Sequence, residues 1–137
     1  MIIADTGPLV AIANDRDRHH EDCIAPLGKH RGPVLVPAPV IVEVCQLLAS
    51  RRGTKAEGLF LAALAAGELQ LVDLQLSDYG RAAELVEQYA DLPLGAVDAC
   101  VIAVAERMDA TEVATLDRRH FSVVRPRHVA AFALLPA

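Results

Sequence analysis

The chain has 137 residues, 53% of them hydrophobic and 23% charged, with a formal net charge of −5. This excludes a disordered chain and fits one folded domain, residues 1–137, with a core of its own. No apolar run is long enough to cross a bilayer and no basic leader follows Met1, so the expected setting is the cytoplasm, without membrane contact.

Residues 1–5 read as a short buried strand closed by Asp5-Thr6-Gly7-Pro8. Pro8 suits the first position of a helix that Leu9 to Ala13 continue. Residues 16–28 are polar, with a weaker helical pattern. Val34–Val36 form a short strand between Pro33 and Pro37. A helix from Ala38 to Arg51 is stopped by Gly53, and another over 55–66 is ended by Gly67. Leu69–Val72 alternate like a strand. Ser77 caps a helix that runs to Tyr89, and Asp91-Leu92-Pro93 breaks it. A helix over Gly95–Met108 leads to a strand over Glu112–Leu116, and the tail from Phe121 to Pro136 adds a short edge strand. Strands alternating with helices, without tight hairpin signals, predict an α/β fold. Its expected form is a three-layer α/β/α sandwich around a central, mainly parallel sheet.

Four acids stand where core residues or helix caps are expected: Asp5 in MIIADTGPL, Glu43 in PVIVEVCQLL, Asp98 in LGAVDACVIAV and Asp117 in VATLDRRHF. Each has a plain alternative. Asp5 and Asp117 suit turns or caps. Glu43 borders the apolar stripe of Val40, Val44 and Leu47 and is equally a surface residue at its edge. Asp98 suits a helix's first turn, although Val101, Ile102 and Ala105 align it with the buried stripe. The four together point to one cause. Clustered carboxylates repel one another unless a cation sits among them, and hard oxygen ligands suit Mg²⁺ or Mn²⁺. In parallel sheets, sites form beyond the carboxyl ends of the strands, where Asp5 and Asp117 both lie.

Cys23, Cys45 and Cys100 lack any C-x-x-C spacing, which excludes a zinc site or a disulfide framework. The basic groups Arg51-Arg52, Arg118-Arg119-His120 and Arg125, Arg127, His128 are of a kind that holds phosphate backbones. For Arg51-Arg52 the plainer reading is a solvated helix end. His19-His20 with Glu21-Asp22 reads as a charged surface, because adjacent helical residues point about 100° apart.

Taken in order, Ile2-Ile3-Ala4-Asp5-Thr6-Gly7, the Glu43 helix, Pro93-Leu94-Gly95-Ala96-Val97-Asp98-Ala99 and Thr115-Leu116-Asp117-Arg118-Arg119-His120-Phe121 resemble a PIN domain, and more narrowly a VapC-type toxin of a bacterial toxin–antitoxin pair. The resemblance spans essentially the whole chain. It implies a PIN-like fold and an endoribonuclease dependent on Mg²⁺ or Mn²⁺. Asp5, Glu43, Asp98 and Asp117 match the family's acidic quartet and would hold the metal. Thr6 and Thr115 match its supporting hydroxyls. Arg118 and Arg119 match a basic stretch near the fourth acid and are candidate RNA contacts. The implied partners are an RNA substrate, a second copy of the chain in a homodimer, and a VapB-like antitoxin that wraps the toxin in a hetero-oligomer. DNA is met only through the antitoxin.

The main alternative is a metal-binding, receiver-like phosphoacceptor domain. It expects adjacent acids after the first strand and a lysine after a late one, whereas the only lysines are Lys29 and Lys55. A haloacid-dehalogenase-like phosphatase expects a second Asp two positions after Asp5, where Gly7 stands.

Overall fold

A computed structural model describes all residues, 1–137. In chain order the elements are β1 (Ile2–Ala4), α1 (Thr6–Ala13), α2 (His20–Lys29), β2 (Val34–Pro37), α3 (Ala38–Arg52) and α4 (Thr54–Ala65). They continue with β3 (Gln70–Val72), α5 (Leu76–Gln88), α6 (Ala96–Arg107), β4 (Glu112–Ala114), α7 (Arg118–Val123) and β5 (Ala133–Leu135). The five strands form one sheet in the order β3-β2-β1-β4-β5, and every pairing is parallel. Crossovers run outward from β1 in one direction as far as β3, then return to β4 and β5 on the other side. Right-handed connections in opposite directions put helices on opposite faces of the sheet, which makes the three layers.

The central strands are buried on both faces, whereas the edge strands β3 and β5 are more exposed. Ile2, Ile3 and Ala4 are fully inaccessible, as are Val113 and Ala114 beside them. Ile2, Ile3 and Val113 each contribute roughly 1.5–3 kcal/mol on burial, the alanines less. α6 lies over the centre: Ala99 to Ala105 are all buried, so this helix is apolar around most of its circumference. A buried central helix of this kind fixes Asp98, in its first turn, as firmly as the core itself. No helix is long and apolar enough to cross a membrane.

Several boundaries differ from the expected ones; α2 begins at His20 rather than at residue 16, and β4 ends at Ala114 rather than Leu116. α1 begins at Thr6 rather than Pro8, immediately after Asp5. α5 begins at Leu76, because Gln75 and Asp78 form a reciprocal capping box that outcompetes Ser77. The tail holds a short helix, α7, before its edge strand, with Asp117 as the cap. Gly53 separates α3 from α4 at φ +90°, a conformation that side chains other than glycine rarely adopt.

Candidate metal centre

The chain changes direction between β1 and β4, and this switch point is where an open α/β sheet leaves a crevice. Asp5 follows β1 directly, and Thr115 to Asp117 follow β4. Asp98 enters from the first turn of α6 and Glu43 from the middle of α3. All four acids line one cleft of about 700 Å³, together with Thr6, Gly7 and Arg51. The close approach of α1 to the β4 loop favours Gly7, where a Cβ would stand 3.2 Å from the Leu116 side chain and press it aside.

Asp5 is the deepest acid, 6% exposed. It occupies the cap position of α1 but makes no side-chain cap bond, so the helix-capping explanation does not hold for it. Its Oδ2 instead accepts the Thr115 hydroxyl at 2.9 Å. Having given its only proton to Asp5, Thr115 Oγ1 accepts the Asp117 N–H at 2.9 Å, so one hydroxyl sets the spacing of two acids. Burial pushes the Asp5 carboxyl up to about 6, and the charges of Asp98 and Glu43 add to it, against the Thr6 N–H and the Thr115 hydroxyl. Asp98 is raised too, first by burial, with Asp117 and Glu43 adding and His120 opposing. The Glu43 side chain makes no hydrogen bond or ion pair, and α3 alone holds it at the cleft.

Asp117 does cap its helix, its Oδ1 accepting the His120 N–H at 3.2 Å. Its other oxygen lies 2.6 Å from His120 Nδ1, and Asp98 Oδ2 reaches the same nitrogen at 3.1 Å. His120 Nε2 donates to the Leu92 carbonyl at 3.1 Å, which orients the ring toward the two acids. Asp98, Asp117 and His120 each offer a ligand atom within 4.8 Å of the others.

His120 is the residue that sequence reasoning undervalued, by counting it only as part of a basic group. Its signal was the i, i+3 spacing from Asp117, which a helical turn converts into contact. Arg118 and Arg119 are exposed and do not line the cleft, and Arg118 donates to the Pro136 carbonyl at 2.8 Å. Arg51, set aside as a solvated helix end, does line it. Cys23, Cys45 and Cys100 are free and buried, and burial pushes each thiol up, as for inert core residues.

The family model of the PIN domain matches residues 2–125. The chain belongs to the PIN-domain family. This PIN domain is 31% identical over 135 residues to ribonuclease VapC26 of Mycobacterium tuberculosis, spanning 98% of this chain and all of the relative, 100%. That places it in the VapC branch. Its fold matches VapC20 of M. tuberculosis, described as a sarcin–ricin loop cleaving toxin, with a TM-score of 0.78 and 19% identity over 82% of this chain and 87% of that one. It also matches VapBC2 of Rickettsia felis bound to a DNA fragment from its promoter (TM-score 0.69, 16% identity, 98% and 97% covered). FitAcB of Neisseria gonorrhoeae follows with a TM-score of 0.63, 19% identity and 98% and 96% covered.

Proposed function

We propose that this PIN domain is a divalent-metal-dependent endoribonuclease that acts as the toxin of a bacterial toxin–antitoxin pair. The observation that carries the reading is a cleft in a VapC chain where four carboxylates converge and no arginine or lysine pairs with any of them. The donor set fits a cation. Two of the acids are raised by burial and mutual repulsion, which a bound cation would relieve. The Thr6 hydroxyl lines the same cleft, buried and without a hydrogen-bond partner. Asp5, Asp98 and Asp117 would hold Mg²⁺ or Mn²⁺, with Glu43 completing the set and His120 offering a nitrogen beside them. Such an ion supplies a more acidic water and offsets charge on the phosphoryl oxygens.

The chain's own residues do the rest. Thr115 holds Asp5 and the Asp117 backbone at fixed spacing. Thr6 offers its hydroxyl to solvent or ligand, and a carboxylate of the quartet takes the attacking water's proton. The products then carry 5′-phosphate and 3′-hydroxyl ends. The implied biological setting is the cytoplasm, as a homodimer silenced by a VapB-like antitoxin. The VapBC2 neighbour, a complex on promoter DNA, supports such a partner. A phosphoacceptor role is not favoured, since neither Lys29 nor Lys55 lines the cleft.

The test is cleavage of RNA by the purified chain with Mn²⁺ or Mg²⁺ against EDTA, beside Asp5→Ala and Asp98→Ala. A ribosomal RNA loop is the first substrate to try, given the description of VapC20. Divalent-dependent cuts lost in both variants are expected. Full activity in EDTA, or cyclic 2′,3′-phosphate ends, would refute the metal-assisted route.

A further inference from the structure

An acidic cleft repels the phosphates it must cut, so binding needs a cation close by but outside the acid cluster. Five carboxylates line the cleft, those of Asp5, Asp17, Glu43, Asp98 and Asp117, and a single guanidinium joins them, that of Arg51. Helical register puts it there. Glu43, Leu47 and Arg51 recur every four residues along α3 and all three line the cleft. Each four-residue step drifts about 40° round the helix, so Arg51 stands about 80° round from Glu43 and about 12 Å further along the axis, still on the side that faces the cleft. Arg52, about 100° round the helix, lines a separate apolar groove with Lys55 and Leu59 and pairs with Asp15 at 3.6 Å.

Most other arginines with a partner are spent on structure. Arg81, Arg107 and Arg127 hold the acids of α5 and α6, and Arg118 and Arg125 bond backbone carbonyls. Arg51 is different. Its side chain is 52% exposed, and its one ionic neighbour, Asp17 Oδ2, is 3.8 Å away, beyond hydrogen-bonding distance. Asp17 spends its other oxygen on the His19 N–H at 2.8 Å. The contact aims the guanidinium while leaving all five of its N–H donors open, so the half-exposed Arg51 side chain is free to take a phosphate although Asp17 itself is largely covered.

We propose that Arg51 grips a backbone phosphate of the RNA strand flanking the scissile bond, in the bidentate manner open to a guanidinium, and so sets which stretch of strand lies over the acids. The assignment rests on the ribonuclease reading above and names a residue that binds its substrate.

The experiment measures binding of a fluorescein-labelled single-stranded RNA to the full-length Asp5→Asn chain, used to prevent cleavage, by anisotropy from 50 to 200 mM salt. In that background Arg51→Ala should raise Kd about tenfold and flatten the salt dependence by about 0.7 in log–log slope. Arg51→Lys, which keeps charge but loses the fork, should fall between. Arg52→Ala should match the parent. In the cleavage-competent chain with Mn²⁺, Arg51→Ala should raise KM about tenfold and change kcat less than twofold. Unchanged Kd and salt slope in Arg51→Ala, beside an RNA-cleaving wild type, would overturn the Arg51 assignment alone. A wild type that neither binds nor cleaves RNA would overturn both readings. An equal loss in Arg52→Ala would reduce Arg51 to general surface charge and overturn it as well.

Discussion

Two groups of acids in this molecule are treated in opposite ways. Between α5 and α6, Asp78 is 3% exposed, yet it takes Arg107 Nε on both oxygens at 3.1 and 3.0 Å and caps Gln75 N–H at 2.9 Å. Nearby Glu106 takes two donors from Arg81, at 2.7 and 3.0 Å, and the Arg127 N–H at 2.7 Å. Burial works against its ionisation, but those donors pull the carboxyl below its ordinary value. Asp5 is buried more deeply than Glu106 and shifts the other way, up to about 6, because burial and then the Asp98 charge act on it and no guanidinium reaches it to offset them. The first group closes the fold. The second withholds its counter-ions, which is the electrostatic condition for capturing one from solution.

The contrast is sharpest at Asp5 itself. Asp5→Asn should lower divalent-dependent RNA cleavage at least about 100-fold, since it removes a ligand and its charge together. Retention of a tenth of wild-type rate would place Asp5 outside the chemistry. The mirror-image change is Asp78→Ala, which strands Arg107 in a half-buried site. It should cost about 4 kcal/mol, a fall in Tm on the order of 12 °C, with cleavage per folded molecule unchanged. A loss of cleavage without a loss of stability would erase the distinction between the two groups.

Acidity separates them further. In metal-free protein the Asp5 carboxyl titrates near 6 when folded, against an unfolded value of 3.8. Its raised folded value means that the protonated form favours folding, so stability is present at low pH and is lost as pH rises between those values. The ionised carboxylate then costs up to about 3 kcal/mol above pH 7. Asp5→Asn should therefore match wild type in stability near pH 3.5, gain on it steadily to pH 6 and hold a constant advantage above pH 7. Saturating Mn²⁺ should erase that advantage. Denaturant titrations in EDTA across this range read the effect, and a difference that does not vary with pH would contradict it. The smallest expected effect is at Thr115. Thr115→Val removes the hydroxyl that orients Asp5, which should weaken Mn²⁺ binding about tenfold in a calorimetric titration, with Thr115→Ser restoring it. Equal affinity in Thr115→Val would show that the bond to Asp5 is only structural.

Much of this molecule is legible before folding. The strand at 1–5, the stop at Gly53, the helix over the Asp98 segment and the four anomalous acids follow from local rules. An apolar run, a glycine at positive φ and a carboxylate on an apolar face each carry their meaning within a few residues. α7 was hidden because its six residues form around a cap, Asp117, whose other oxygen answers to His120. The start of α5 was hidden because Gln75 and Asp78 satisfy each other better than Ser77 would. Arg51 and Arg52 looked alike in sequence, and the rotation of α3 against the sheet sends one to the acids and the other to an apolar groove.

The sequence alone therefore determined which residues are chemically out of place and that strands and helices alternate, because hydrophobic periodicity and backbone sterics act over short range. Only the tertiary structure decided that Asp5, Glu43, Asp98 and Asp117 share one cleft, that His120 stands between two of them and that Arg51 alone brings a guanidinium to it. Charge interactions depend on distance and burial in three dimensions, and neither is a property of position along the chain.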